Sequence, residues 1–226
     1  MTEATAHAAF IRYPEHAAFG RALPKSKLYA RSHPGTKLKN LFVRQVEQIV
    51  WQYKLAPETV NLPARSGVPE IQVFRIQLKT QELSFDVLRA IDQAVQFPII
   101  FELTHAEQTR VVACHKRPND SDASRWVLSD YFTSGWLADN AERGAMPMAL
   151  HLGSLYEQIL RALIPLPAQP HEALAEQVAR VGQLAAKQRE MEKVAGKLAK
   201  ERQFNRKIAI NADLRRLQNE LDQLRR

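Results

Sequence analysis

Apolar positions change their period several times along the chain. Leu38, Leu41, Phe42, Gln45, Val46, Ile49, Val50 and Tyr53 recur at three- and four-residue spacing. That spacing predicts one amphipathic helix, N-capped by Thr36 and running to about Lys54, with Trp51 at the edge of its buried face. Pro57 and Pro63 mark a loop after it. Between Glu70 and Leu78 the period drops to two. Ile71, Val73, Phe74, Ile76 and Leu78 interleave with Gln72, Arg75 and Gln77, a strand with an irregularity at Val73-Phe74.

Ser84 is placed to cap a second helix carrying Phe85, Leu88, Ile91, Asp92 and Val95. The run Pro98 to Leu103 reads as a buried strand. A turn at His105-Ala106-Glu107-Gln108 joins it to a hairpin partner over Arg110 to His115, and Arg125 to Phe132 is a further strand. A short amphipathic helix follows over Leu155 to Leu163, stopped by Pro165, Pro167 and Pro170. Strand, helix, strand and then antiparallel strands predict an α/β (α+β) domain with a mixed sheet over residues 1–164, followed by a proline-rich linker over 165–170.

After Pro170 the pattern becomes that of a coiled-coil seam. Val181, Leu184, Gln188, Met191, Ala195 and Leu198 alternate three and four apart, and Ile210, Leu214, Leu217, Leu221 and Leu224 repeat the pattern. The twelve-residue step from Leu198 to Ile210 breaks the heptad register. It predicts a reversal near Gln203-Phe204-Asn205-Arg206, with Asn211 capping the second helix. An antiparallel helical hairpin over 171–226 buries both seams within one chain, and a single long helix is the alternative. Leu184, Met191, Leu198, Leu214, Leu217, Leu221 and Leu224 are the expected partner-binding or self-association surface.

Composition adds bounds. The chain has 226 residues, 45% hydrophobic and 25% charged, the balance of a soluble globular protein. A single cysteine, Cys114, excludes an internal disulfide and a cysteine-based zinc site and fits a cytoplasmic setting. The N-terminal residues 1–7 lack the basic region and apolar core of a secretory signal, and no apolar run has the length of a membrane span.

Charge changes the picture more. The net charge is +8. Arg21, Lys25, Lys27, Arg31, Lys37, Lys39 and Arg44 form a run with no acid inside it, the nearest being Glu15 and Glu47. Pro and Gly break the middle of this run, which reads as a basic loop leading into a helix, a natural place for phosphate to dock. These residues are the nucleic-acid-binding candidates, against the bland reading of a solvated basic face.

Catalytic motifs are incomplete. A restriction-type nuclease needs an acid on one strand and acid-x-Lys on the next to hold a divalent metal. Gln77-Leu78-Lys79 has Gln where the acid belongs, and Glu102-Leu103-Thr104 has Thr where the Lys belongs. An atypical nuclease would draw on Glu70, Lys79, Asp92 and Glu102. The seven histidines, His7, His16, His33, His105, His115, His151 and His171, lack metal-ligand spacing. No nucleotide-binding glycine motif occurs, so no cofactor is expected. Cys114 reads as a small buried hydrophobe. Trp126, Tyr131, Phe132 and Trp136, beside Lys116, Arg117 and Arg125, read as core ahead of a base-stacking platform.

Several segments carry a family resemblance: Leu23-Pro24-Lys25-Ser26-Lys27, the run Ile49 to Thr59, Glu70 to Phe74, Ile91-Asp92, Pro98 to Leu103, Tyr156-Glu157-Gln158 and Gln203 to Lys207. In the order of these segments, and over nearly its whole length, the chain resembles the bacterial family called domain of unknown function 4391. Members are often encoded beside helicases and DNA methyltransferases in restriction or anti-phage loci. The resemblance implies a non-catalytic accessory subunit of a DNA-targeting defence complex, with helicase or methyltransferase partners and possible DNA contact. It implies no catalytic residues. A coiled-coil oligomeric structural protein is the third reading.

Overall fold

The computed structural model describes residues 9–32, 34–119, 121–122 and 125–225. His7 and His33 lie outside them. The described chain divides between Pro165 and Leu166 into two units.

The first unit is built on a mixed seven-stranded sheet. Its path runs β2 (Ala18–Ala22), β3 (Val46–Leu55), β4 (Ile71–Leu78), β5 (Ile99–His105), β6 (Gln108–Pro118) and β7 (Trp126–Thr133), and a short β8 (Leu137–Ala138) also pairs with β6. Within this sheet, among the described residues, neighbours pair antiparallel except β4 and β5, which pair parallel. The helix α4 (Phe85–Ala94) crosses between them, capped as the sequence predicts by the Ser84 hydroxyl, which accepts from the Asp86 N–H. A separate parallel pair, β1 (Ile11–Arg12) with β9 (Gly144–Ala145), completes the strands.

The predicted helix over 36–54 is half right. A helix α2 (Thr36–Gln45) forms, capped by Gly35 instead of Thr36, and the chain then becomes strand β3. Two register shifts in the β3–β4 pairing explain the misreading, one between Val46 and Gln48 and one between Trp51 and Tyr53. Each extra residue reverses which face the following side chains occupy. Val46, Ile49 and Trp51 therefore share the helix-side face, and a bulged strand imitates helical spacing. The second shift lies opposite Val73-Phe74, where the sequence pattern is irregular.

The segment read as a basic loop also differs, because Lys25–Ser32 is a helix, α1. α1, α2 and α4 cover one sheet face. Leu28, Phe42, Ile49, Phe74, Leu88, Ile91, Phe101 and Val112 pack there into a continuous core. The chain continues through α3 (Pro57–Val60), with α5 (Leu152–Leu163) after β9.

The second unit is a pair of helices, α6 (Leu174–Lys200) and α7 (Phe204–Arg225). They run antiparallel: Lys187 meets Glu220 at 2.6 Å, and Arg180 Nη1 donates to the Leu224 carbonyl at 2.9 Å. The reversal occupies residues 201–203, so Asn211 lies inside α7 and caps nothing. The prolines do not form a bare spacer. Arg180 Nη2 holds the Pro167 carbonyl at 2.8 Å while its guanidinium grips Glu172, and the Gln177 amide donates to the Leu166 carbonyl at 2.7 Å.

Candidate functional site

The basic run does not form one patch, because its members do different jobs. Lys25 Nζ donates to the carbonyls of Phe42 at 3.2 Å and Val46 at 2.5 Å, at the C-terminal end of α2. Burial, and then the like charge of Lys79, lower its pKa. A lysine on the free carbonyls of a helix end satisfies orphan acceptors and favours the helix dipole. Lys79 serves the same end through the Val43 carbonyl at 2.9 Å, and Arg31 reaches the Ala94 carbonyl at the end of α4. Lys37, Lys39 and Arg44 lie exposed on α2 and its last turn.

Arg21 and Lys27, together with Arg31 beside its Ala94 contact, line one cleft of about 600 Å³. Arg21 comes from the edge strand β2, and Lys27 and Arg31 come from α1. The floor is apolar, formed by Leu23, Leu28, Trp51 and Phe74, and Gln96 and Phe97 close the side after α4. Trp51 is half-buried with its indole N–H donating to the Tyr53 carbonyl at 2.9 Å, and Phe19 packs against its ring at 4.2 Å. Gln72 lines the cleft too. It is only 4% exposed, and its amide nitrogen donates to Glu70 Oε1 at 2.6 Å. Cations over an apolar, aromatic floor can bind an anion attached to a flat apolar group.

The four residues of the nuclease reading are not brought together. Glu70 and Lys79 flank opposite ends of β4, roughly 30 Å apart along an extended strand. Asp92 and Glu102 sit on opposite faces of the sheet, and each is buried in its own cluster. Glu102 accepts both branches of Arg143, at 2.6 Å and 3.0 Å, and Arg143 also donates to the Ile11 carbonyl and lies 4.0 Å from the Phe10 ring centre. Burial opposes the Arg143 cation, but the hydrogen bonds and charge of Glu102 outweigh it and raise its pKa.

Asp92 Oδ2 accepts from the Tyr131 hydroxyl at 2.6 Å and the Cys114 thiol at 3.6 Å. Lys116 Nζ stands 3.6 Å from Asp92 Oδ1 and donates to the Asp92 and Val95 carbonyls at the end of α4. Burial pushes the Asp92 carboxyl up to about 6 against the pull of Lys116. It also raises the Cys114 thiol and lowers the Lys116 ammonium. The Tyr156 hydroxyl, from α5, donates to the Cys114 carbonyl and accepts the Lys116 N–H, holding β6 where its pairing with β7 slips. Among the described residues, no three His, Cys, Asp or Glu side chains come together to hold a metal ion.

The remaining predicted residues divide similarly. Tyr131 and Phe132 are buried, Trp126 lies 5.5 Å from Lys116 Nζ, and Trp136 lies under Arg110. In the arm, Leu217 and Leu221 are buried between the helices, while Leu184, Met191, Leu198, Leu214 and Leu224 are half-buried. Phe204 and Ile208 are exposed near the reversal.

Sequence reasoning missed Gln72, Arg143 and the Lys116–Asp92 pair. Lys116 did leave a signal, since it follows the apolar run Val111 to Cys114 in a strand. Gln72 left one too, between Ile71 and Val73. Arg143, in a polar stretch, left none.

No curated protein and no solved structure matches the chain. Residues 11–221 match the family described as Domain of unknown function (DUF4391), a span that takes in the sheet unit and nearly all of the helical arm, so the chain belongs to that family.

Proposed function

We propose that the chain is a non-catalytic, nucleic-acid-binding subunit of a bacterial DNA-targeting complex of the restriction or anti-phage kind. The observation that carries the reading is the convergence of Arg21, Lys27 and Arg31, from two separate elements, on one cleft. Cations gathered from different elements and facing one opening suit a row of phosphates. The engagement of Glu102 by Arg143, and of Asp92 by Tyr131, Cys114 and Lys116, supports binding over cleavage. The resemblance to families encoded beside helicases and DNA methyltransferases supplies the expected partners, and the half-buried seam and exposed Phe204 and Ile208 of the arm supply a docking surface.

The test is the salt dependence of DNA binding by the full chain. Each phosphate contact contributes about 0.9 to the negative slope of log K against log salt on duplex DNA. Arg21→Gln with Lys27→Gln flattens that slope by about twice this amount. Lys25→Gln leaves it unchanged, because that ammonium already sits on the α2 carbonyls. No binding at low salt, alone or with co-expressed helicase and methyltransferase, rejects the reading.

A further inference from the structure

The cleft carries more than charge. We propose that it receives one unpaired nucleotide of a nucleic-acid strand, its base against the half-buried Trp51 and its phosphates at Arg21, Lys27 and Arg31. This rests on the nucleic-acid reading above and names the form of the ligand.

Three observations combine. The volume, about 600 Å³, lies within the range that encloses a small ligand and is open on one side. The floor is mainly apolar and includes an indole, the side chain that best offers a flat stacking surface to any base. Within that floor is one buried amide. Gln72 gives its nitrogen to Glu70, and its carbonyl oxygen accepts no hydrogen bond among the described residues. That oxygen is not among the buried unpartnered atoms, so it is reached from the open cleft, where it can accept from a ligand donor, and base edges carry N–H donors.

A lipid chain suits the apolar floor but has no donor for Gln72. A free inorganic anion suits the rim but leaves the floor wet. Duplex DNA suits the rim, yet its bases are stacked and paired and do not reach a recessed floor. An unpaired nucleotide meets all three features at once.

The experiment compares three probes against the full chain by fluorescence anisotropy: a short oligodeoxyadenylate, an abasic strand of equal length and charge, and a blunt duplex. The oligodeoxyadenylate binds at least about tenfold more tightly than the abasic strand, because only it offers a base to stack. Ala30→Leu, at an exposed α1 position lining the cleft, narrows the opening. It abolishes the preference while leaving the thermal midpoint unchanged. Trp51→Leu, checked for native circular dichroism, removes the aromatic floor and gives the same loss. Equal affinity for the oligodeoxyadenylate and the abasic strand overturns the proposal, as does a preference that survives either folded variant. If duplex and abasic strand bind with a normal salt slope in those cases, the nucleic-acid reading stands and only the cleft inference falls. If no probe binds, both fall.

Discussion

Glu102 and Asp92 are two carboxylates buried to the same extent, on opposite faces of one sheet, and held by different means. Glu102 meets a guanidinium that makes two near-parallel hydrogen bonds to it, which is geometrically complete for a carboxylate. Asp92 meets a hydroxyl, a thiol and a lysine whose ammonium is directed mainly at backbone carbonyls, and its Oδ1 accepts no hydrogen bond. The same residue class therefore has two roles. On the face away from α4, Glu102 and Arg143 tie the Phe10–Ile11 segment to the sheet. On the helix side, Lys116 closes the end of α4 and Asp92 is the weakly held counter-charge. Burial of a charge reports function only after its partners are named.

The largest expected effect breaks the complete pair. Arg143→Met leaves the Glu102 carboxylate buried without its cation, and is expected to cost about 3–5 kcal/mol in urea unfolding. Adding Glu102→Leu recovers much of the loss, because the uncompensated charge is gone. An additive double mutant contradicts the pairing.

The next effect belongs to Asp92 and depends on pH. Its folded carboxyl titrates at about 6 against an ordinary value of 3.8, so between these values the folded state binds its proton more tightly than the unfolded state does. The stability that this provides is present below about pH 4 and is lost as pH rises through about 6, a swing of roughly 3 kcal/mol. Asp92→Asn, which cannot titrate, gains on the wild type by that amount between acidic and neutral pH. Parallel stability curves for the two proteins refute this assignment.

Lys116→Met tests whether the ammonium is there for the helix end or for the carboxylate. Loss of its bonds to the Asp92 and Val95 carbonyls is expected to cost about 2 kcal/mol even in an Asp92→Asn background. A loss that vanishes in that background makes Lys116 chiefly a counter-ion.

The smallest effect is at Lys25, a partly exposed lysine on the end of α2. Lys25→Gln is expected to destabilise by about 1 kcal/mol, read from the urea midpoint. No change in stability, with a flattened DNA salt slope, returns Lys25 to the nucleic-acid surface.

Much of the sheet was legible because local patterning sufficed. The β4 alternation, the Ser84 cap before α4 and the β5–β6 hairpin turn at residues 105–108 each depend on neighbours a few residues away. The antiparallel arm followed from a broken heptad register for the same reason. What failed was non-local. The bulges of β3 exist only in its pairing with β4, so residues 46–54 read as helix until that partner is in place.

The candidate site divides the same way. Sequence alone determined that the segment from Arg21 to Arg44 is acid-free and that no intact nuclease motif accompanies it. Only the tertiary structure decided that Arg21, Lys27 and Arg31 share a cleft with Trp51 and Gln72 while Lys25 sits on a helix end. The physical reason is that charge and period are properties of neighbours along the chain. A cleft, a buried ion pair and a capped helix end are made by residues that meet only when distant segments pack.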